Sequence, residues 1–262
     1  MAAPITEEAW RFFEANGYLS LGRVLDDSGL DALSRRIDDI MLGTAPVDYD
    51  RLLMQIDSTT GRYEDAGAQS RGWKGATRGD RKIQNLEHDP LFGAYVERPE
   101  FREIAARVYG AGTPVACFRA MFMNKPARRG TLLPWHQDCW TDLDRQPLIT
   151  AWTALDPATV ANGCVEVVPG SHRRGRVNTA HASGFLTEAQ AEEHCPPDRR
   201  AYLELAAGEA VLLHNRLLHR SDVNATDTPR RAFSVCYMDG RTRAAGGETF
   251  TPLFVGDEGD GQ

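Results

Sequence analysis

Apolar positions in the first 110 residues recur at helical intervals and predict a mainly helical region. Thr6 can cap a helix whose first turn is acidic and which ends at Gly17. A second amphipathic helix is predicted over residues 27–42 and a third over residues 99–109. Between them, residues 44–80 show little periodicity, so we expect a long loop that forms a lid over a site.

After residue 112 the pattern changes to short apolar and β-branched runs separated by turn residues. The pair Asn162-Gly163 is a tight-turn signal between two of these runs, and one helix near residues 187–193 interrupts the series. Several short strands joined by turns are typical of a β-sandwich or barrel. The predicted strands are residues 115–123, 148–155, 163–168, 201–205, 210–214 and 232–237.

The length of the chain fits one domain, because β-sandwiches and barrels of 262 residues are often undivided. We therefore expect a single domain over residues 1–262. Within it, residues 1–111 supply mainly helical support and the lid, and residues 112–240 form the β core. The glycine- and acid-rich tail at residues 255–262 is expected to be flexible.

The charge balance argues against nucleic-acid and membrane partners. The chain has 37 acidic and 30 basic residues, a net charge of −7, so no basic surface dominates. It contains no apolar run long enough for a transmembrane helix, and its N-terminus lacks the features of a signal peptide. Five scattered cysteines without a Cys-x-x-Cys motif favour reduced thiols. We expect a cytoplasmic protein that acts on a small molecule; its oligomeric state is left open.

Residues 134–138, Pro-Trp-His-Gln-Asp, carry the candidate chemistry. His136 and Asp138 are two residues apart, and on a strand this spacing directs both side chains to the same face. A third ligand must come from a distant strand, where His214 and His219 are the candidates. Two imidazoles and one carboxylate form the facial triad of non-heme Fe(II) sites. The same three groups also suit zinc in a hydrolase.

His219 is favoured over His214 because of the residues that follow it. Arg230 lies 11 residues after His219, at the start of a predicted strand. A guanidinium in a metal pocket can bind one end of a dicarboxylate through two parallel hydrogen bonds. Ser221 could donate a further hydrogen bond to the same carboxylate. The pattern alone is equally consistent with Arg230 as a surface charge.

Six segments between residues 124 and 232 follow one another in an order typical of a known family. They are Asn-Lys-Pro at 124–126, Pro-Trp-His-Gln-Asp at 134–138, Ala-Trp-Thr-Ala-Leu at 151–155, the run from Asn to Ser-His at 162–172, His-Arg-Ser at 219–221 and Arg-Arg-Ala at 230–232, and the single residue Asn224 also matches. On these segments the chain resembles the phytanoyl-CoA dioxygenase family of Fe(II)/2-oxoglutarate-dependent oxygenases. The resemblance implies a mainly β fold with flanking helices, the cupin-like jelly roll called a double-stranded β-helix.

The resemblance also implies a reaction and its catalytic metal ligands. His136, Asp138 and His219 would bind Fe(II), with 2-oxoglutarate as cosubstrate and O₂ as oxidant. The expected outcome is hydroxylation of an unactivated C–H bond with release of succinate and CO₂. Related halogenases have a small residue at the carboxylate position, so Asp138 favours hydroxylation over halogenation. Cyclisation, desaturation and epimerisation remain open.

The resemblance assigns the cosubstrate to a second group of residues. Arg230 would bind the far carboxylate of 2-oxoglutarate, with Ser221 as its helper, and Asn124 and Trp152 would line the pocket. Ser221 departs from the family pattern in its surroundings, because arginine and aspartate flank it where small residues are usual. The local loop is therefore expected to differ.

The sequence patterns say least about the identity of the substrate. Lys82, Gln84 and Trp140 are candidate substrate contacts, because they lie in segments expected to form the pocket walls. A natural-product biosynthetic intermediate is one candidate substrate.

The alternative function is a cupin-like metal-binding protein with non-oxidative chemistry or with ligand binding only, which would not consume 2-oxoglutarate.

Overall fold

The computed structural model describes residues 4–255, and five α-helices flank two β-sheets in that range. Each helix is too short or too polar to cross a lipid bilayer. The tail was predicted at residues 255–262, and all of it after Val255 lies outside the described residues. The helices are α1 (Glu7–Asn16), α2 (Asp27–Leu42), α3 (Pro90–Val96), α4 (Pro99–Tyr109) and α5 (Glu188–His194).

Local signals define the ends of the predicted helices. Thr6 accepts a hydrogen bond from the backbone N–H of Ala9 at the start of α1, and Gly17 ends that helix with a left-handed φ of 80°. Helices α2 and α4 have the predicted bounds. Helix α3 was not predicted, because its seven residues are too few to establish a helical period.

Thirteen strands occur in the described part of the chain and form two antiparallel sheets. The major sheet has the order β1-β10-β7-β12-β5-β4-β2-β3, with β13 paired to β5, and the minor sheet has the order β6-β11-β8-β9. The strands are β1 (Tyr18–Arg23), β2 (Leu53–Ile56), β3 (Ser70–Arg71), β4 (Asp80–Gln84), β5 (Val115–Lys125), β6 (Leu133–His136), β7 (Ile149–Ala154), β8 (Val165–Val167), β9 (Ala201–Leu203), β10 (Glu209–His214), β11 (His219–Ser221), β12 (Arg230–Asp239) and β13 (Pro252–Phe254).

The two faces of the major sheet serve different purposes. Its outer face packs on the helices: Phe92 of α3 lies 4.7 Å from Phe233 of β12 between ring centroids, and Phe101 of α4 lies 6.0 Å from Tyr237. Its inner face shares a second apolar cluster, which includes Val211, with the minor sheet. This arrangement confirms the mainly β double-stranded β-helix with flanking helices.

The expectation of one long loop over residues 44–80 is wrong in part. Strands β2 and β3 lie in this range, and β2 pairs with β4 to extend the major sheet. Both strands are short, and β3 is fully exposed, so neither has the alternating pattern that marks a half-buried strand. Pairing with β4 stabilises them, and a single sequence does not reveal that contact.

Candidate active site

A cavity of about 280 Å³ lies between the two sheets and contains the predicted metal ligands. His136 is the last residue of β6, and His219 is the first residue of β11. The two histidines are direct partners in the antiparallel pairing of these strands. Asp138 does not lie on the strand, as the two-residue spacing suggested, but in the loop after it, where its N–H donates to the carbonyl of Asn215 at 2.7 Å.

The three side chains meet at one point in space. One ligand atom from each of His136, Asp138 and His219 lies within 4.8 Å of the other two. The Nε2 atom of His136 is 4.0 Å from Oδ1 of Asp138, and that of His219 is 3.9 Å from Oδ2. Such spacing leaves room for one ion bonded to all three groups.

Hydrogen bonds at the far side of each ring leave the metal-binding nitrogens free. Nδ1 of His136 donates to the carbonyl of Pro134, and Nδ1 of His219 donates to that of Leu217, both at 2.9 Å. A carbonyl oxygen only accepts, so the proton is on Nδ1 and Nε2 keeps its lone pair. Burial, reinforced by nearby His219, lowers the pKa of His136 to about 3, so the ring stays neutral. This donor set fits Fe(II).

Gln137 and Phe185 support the predicted metal ligands, although no sequence pattern predicts this role for either residue. The buried Gln137 amide donates to the carbonyls of Gly175 and Arg216 at 2.8 and 2.7 Å, and its oxygen accepts from Val177. Phe185 stacks on His136 with ring centroids 4.9 Å apart. Both residues tie the loop that follows β8 to the metal ligands, and no local sequence pattern predicts that contact.

Arg230 enters the same cavity from the major sheet. It is buried, and its Nη2 donates to the carbonyl of Gly163 at 3.0 Å, whereas its Nε has no partner among the described residues. Burial lowers its pKa to about 10, which still leaves a cation at neutral pH. A buried guanidinium with an unused donor fits the carboxylate of 2-oxoglutarate. Trp152 lies 5.4 Å from it, and Ser221 also lines the cavity.

Asn124 occupies a different position from the other predicted cosubstrate residues. Its amide donates to the carbonyls of Arg78 and Asp80, both at 3.0 Å, and so holds the start of β4 in place. It does not line the main cavity. It borders a smaller one of about 40 Å³, which shares Ser221 and Arg230 with the main cavity.

The three candidate substrate residues all line the main cavity. Gln84 is buried on β4, and Trp140 lies edge-on to Phe118 with ring centroids 4.6 Å apart. Burial, reinforced by nearby arginines, lowers the pKa of Lys82 to about 8. The structure therefore brings these side chains to the walls around the metal ligands.

The residues that flank Ser221 have partners of their own. Nε of Arg220 donates to the buried carboxylate of Glu166, and its guanidinium lies 5.3 Å from the ring of Trp135. On the other side, the carbonyl of Asp222 comes so close to Gly163 that a Cβ there would lie 2.3 Å from its oxygen. These contacts neutralise the arginine and leave Ser221 on the cavity wall.

His214 lies away from the metal ligands. Its ring lies 4.9 Å from that of His172, and its Nδ1 accepts from the backbone N–H of Arg216. It is not part of the His–Asp–His cluster found in the described residues. The structure therefore brings His219, and not His214, to His136.

Comparison with known families gives an extended match. The sequence model described as "Phytanoyl-CoA dioxygenase (PhyH)" matches residues 13–232. A probable phytanoyl-CoA dioxygenase from Caenorhabditis elegans is 27% identical over 253 residues, which cover 90% of this chain and 76% of that protein. The similarity therefore extends from the helical region to the last long strand.

Solved structures share the fold. A non-heme alpha-ketoglutarate-dependent carbocyclase, SnoK from nogalamycin biosynthesis, has a TM-score of 0.68 at 24% identity and covers 97% of this chain and 95% of its own. EctD from S. alaskensis, crystallised with 2-oxoglutarate and 5-hydroxyectoine, has a TM-score of 0.70 at 20% identity, with coverages of 99% and 86%. At these identities the likeness concerns the fold.

Proposed function

The chain belongs to the phytanoyl-CoA dioxygenase family, and we propose that it hydroxylates a C–H bond of a small organic substrate as an Fe(II)- and 2-oxoglutarate-dependent dioxygenase. One observation carries the proposal: the cavity that contains the His–Asp–His cluster is also lined by buried Arg230, whose Nε has no partner among the described residues. A metal site alone would suit several chemistries. A metal site facing a carboxylate-binding arginine suits a dicarboxylate cosubstrate.

His136, Asp138 and His219 would hold the iron, and Arg230 with Ser221 would hold the far carboxylate of 2-oxoglutarate. Bound iron and cosubstrate together supply an O₂-derived oxidant while 2-oxoglutarate becomes succinate and CO₂. The chain itself orients the groups. The Pro134 and Leu217 carbonyls fix the imidazole rings.

Asp138 supports hydroxylation as the outcome. Its carboxylate lies beside both imidazoles, at the position where related halogenases leave room for chloride. Lys82, Gln84 and Trp140 are proposed to contact the substrate, since they line the remaining wall of the cavity. Polar and aromatic walls suit a natural-product intermediate. The nogalamycin origin of a structural neighbour agrees with a biosynthetic role.

A reducing compartment is proposed for the protein. All five cysteines are free thiols in the structure, and four of them are buried. Free buried thiols are usual in cytoplasmic proteins. The cytoplasm is therefore the proposed location.

Substitution of the metal ligands tests the reaction class. We expect His136→Ala and Asp138→Ala to abolish substrate-dependent succinate formation in protein loaded with Fe(II) under anaerobic conditions, because each removes one of three protein bonds to the metal. Succinate would be quantified after addition of O₂ and 2-oxoglutarate across a panel of candidate substrates. His88→Ala, an exposed histidine outside the cavity, is the matched control. Undiminished turnover in either metal-ligand variant would contradict the assignment of these residues to the metal. Absence of 2-oxoglutarate consumption by the wild type would exclude this function and favour a cupin-like protein with other chemistry.

A further inference from the structure

Arg119 lies at the end of the cavity opposite to Arg230. Both positions are defined by strand register: Arg230 pairs with Lys125, whereas Arg119 pairs with Cys236 further along β12. Six residues of β12 separate these two rows, which corresponds to about 20 Å of strand. Arg119 therefore cannot bind the same small carboxylate as Arg230.

The guanidinium of Arg119 is held in place but makes no polar contact. It lies 4.9 Å from the ring of Phe118 and 5.0 Å from that of Trp140, so cation–π attraction to both rings restricts its position. Among residues 4–255 no hydrogen bond or ion pair involves its side chain. Its five N–H donors are therefore free to bind a ligand.

Two other partly buried arginines of this chain are neutralised by carboxylates. Arg220 is paired with Glu166, and Arg231 is paired with Asp156 at 2.8 Å. Among the described residues, Arg119 lines the cavity without such a partner, and the only carboxylate on the cavity wall is that of Asp138. The site therefore lacks an acidic side chain of its own to neutralise Arg119.

The net charge of the cavity with metal and cosubstrate bound also leaves Arg119 without a neutralising charge. A ferrous ion, the Asp138 carboxylate, the two carboxylates of 2-oxoglutarate and Arg230 sum to zero. Lys82 and Arg119 then leave the cavity positive. Lys82 pairs with Met123, beside the Arg230 row, whereas Arg119 stands beyond Gln84 next to Trp140. The positive charge at the far end is therefore that of Arg119.

We propose that Arg119 binds an acidic group of the substrate, so that the substrate is an organic anion. The group is a carboxylate or a phosphate, which share the planar or multidentate oxygen geometry that a guanidinium recognises. The adjoining part of the substrate contacts the ring of Trp140. This inference rests on the proposed function, because it assumes that 2-oxoglutarate occupies the Arg230 end.

Binding of paired acidic and neutral probes tests this specificity. The protein, loaded anaerobically with Fe(II) and saturating 2-oxoglutarate, would be titrated with benzoate, phenyl phosphate and the neutral benzamide by calorimetry. We expect one acid to bind roughly 10-fold or more tightly than benzamide, because a charge-assisted hydrogen bond favours the anion. Preference for benzoate would identify a carboxylate, and preference for phenyl phosphate would identify a phosphoryl group.

Three variants separate recognition from folding. Arg119→Gln should remove the preference for the acid, Arg119→Lys should keep part of it, and Arg102→Gln should leave it unchanged. Arg102 is an exposed arginine that lies 5.2 Å from the ring of Phe254, outside the cavity. Equal acid binding by wild type and Arg119→Gln, or no preference in the wild type, would overturn the inference. Failure of the proposed function is a separate result: 2-oxoglutarate itself would not bind in the Fe(II)-loaded protein.

Discussion

The backbone group beside each histidine ring decides which of its two nitrogens carries the proton. His136 and His219 donate from Nδ1 to carbonyl oxygens and present a bare Nε2 to the cavity. His214 accepts at Nδ1 from the N–H of Arg216, so its neutral ring carries the proton on Nε2. One hydrogen bond per ring therefore distinguishes the proposed metal ligands from His214.

The partly buried ring of His214 should make the protein sensitive to acid. Burial, with smaller contributions from His172 and Arg216, lowers its pKa from 6.5 to about 4. The unfolded chain therefore binds a proton first as pH falls below 6.5, and stability decreases between that pH and 4. The loss is up to about 1.4 kcal/mol per pH unit. We expect His214→Gln to lose about 2 kcal/mol less than wild type between pH 7.5 and 5.

Urea unfolding at the two pH values measures this difference in the free energy of unfolding. His88→Gln replaces an exposed histidine and should retain the wild-type acid sensitivity. The same pH-dependent loss in His214→Gln and wild type would contradict the assignment.

The loop between β8 and α5 behaves as a structural element of the metal site. Gly184 accepts a hydrogen bond from Gln137 N–H at its carbonyl, and Phe185 forms an isolated bridge with His136. Leu186 donates to the carbonyl of Trp135 at 3.0 Å, so the loop continues the edge of the minor sheet beyond β6. The metal ligands are therefore held from both sides.

Two glycines of this loop provide a matched test of that contact. Gly184 and Gly175 both have positive φ, 71° and 74°, so alanine is strained at either position. A Cβ at Gly184 would lie 2.2 Å from the carbonyl oxygen of Gln137, whereas one at Gly175 would meet nothing within 4 Å. We expect Gly184→Ala to weaken Fe(II) binding by roughly 10-fold or more, since displaced supporting groups have effects of that size.

Anaerobic metal titration of the two alanine variants gives the comparison. Gly175→Ala should bind Fe(II) with nearly wild-type affinity. Equal affinities in both variants would show that the loop does not hold the ligands.

In the whole molecule, the two sheets contribute different halves of the site. The metal ligands belong to the minor sheet and the loop after β6, whereas Arg230 and Trp152 belong to the major sheet. A metal ion alone would therefore stabilise one side of the cavity. Metal and 2-oxoglutarate together would join the two sheets.

Ligand-dependent stability should separate these contributions. At 100 times its dissociation constant, each ligand adds about 2.7 kcal/mol to the free energy of unfolding. We expect Arg230→Gln to keep the increment from Fe(II) and to lose most of the increment from 2-oxoglutarate, and Asp138→Ala to lose both. Anaerobic thermal unfolding with and without chelator measures the increments. A full 2-oxoglutarate increment in Arg230→Gln would contradict the role of Arg230.

Sequence by itself determined the features that depend on neighbours in the chain. Helices α1, α2 and α4 were predicted because caps and apolar periods act over a few residues. The ordered motifs also predicted the metal ligands and the role of Arg230, since the chemistry of each side chain is independent of the fold. The structure then showed that the three metal ligands meet.

Only the tertiary structure decided the features that depend on distant partners. Strands β6 and β11 have four and three residues, too few for a pattern, and they exist because each pairs with the other. Packing between segments far apart in sequence places Phe185 on His136. The same kind of packing places Asn124 outside the main cavity. Arg119 is one of 30 basic residues in the sequence, and only strand register places it, unpaired, opposite Arg230.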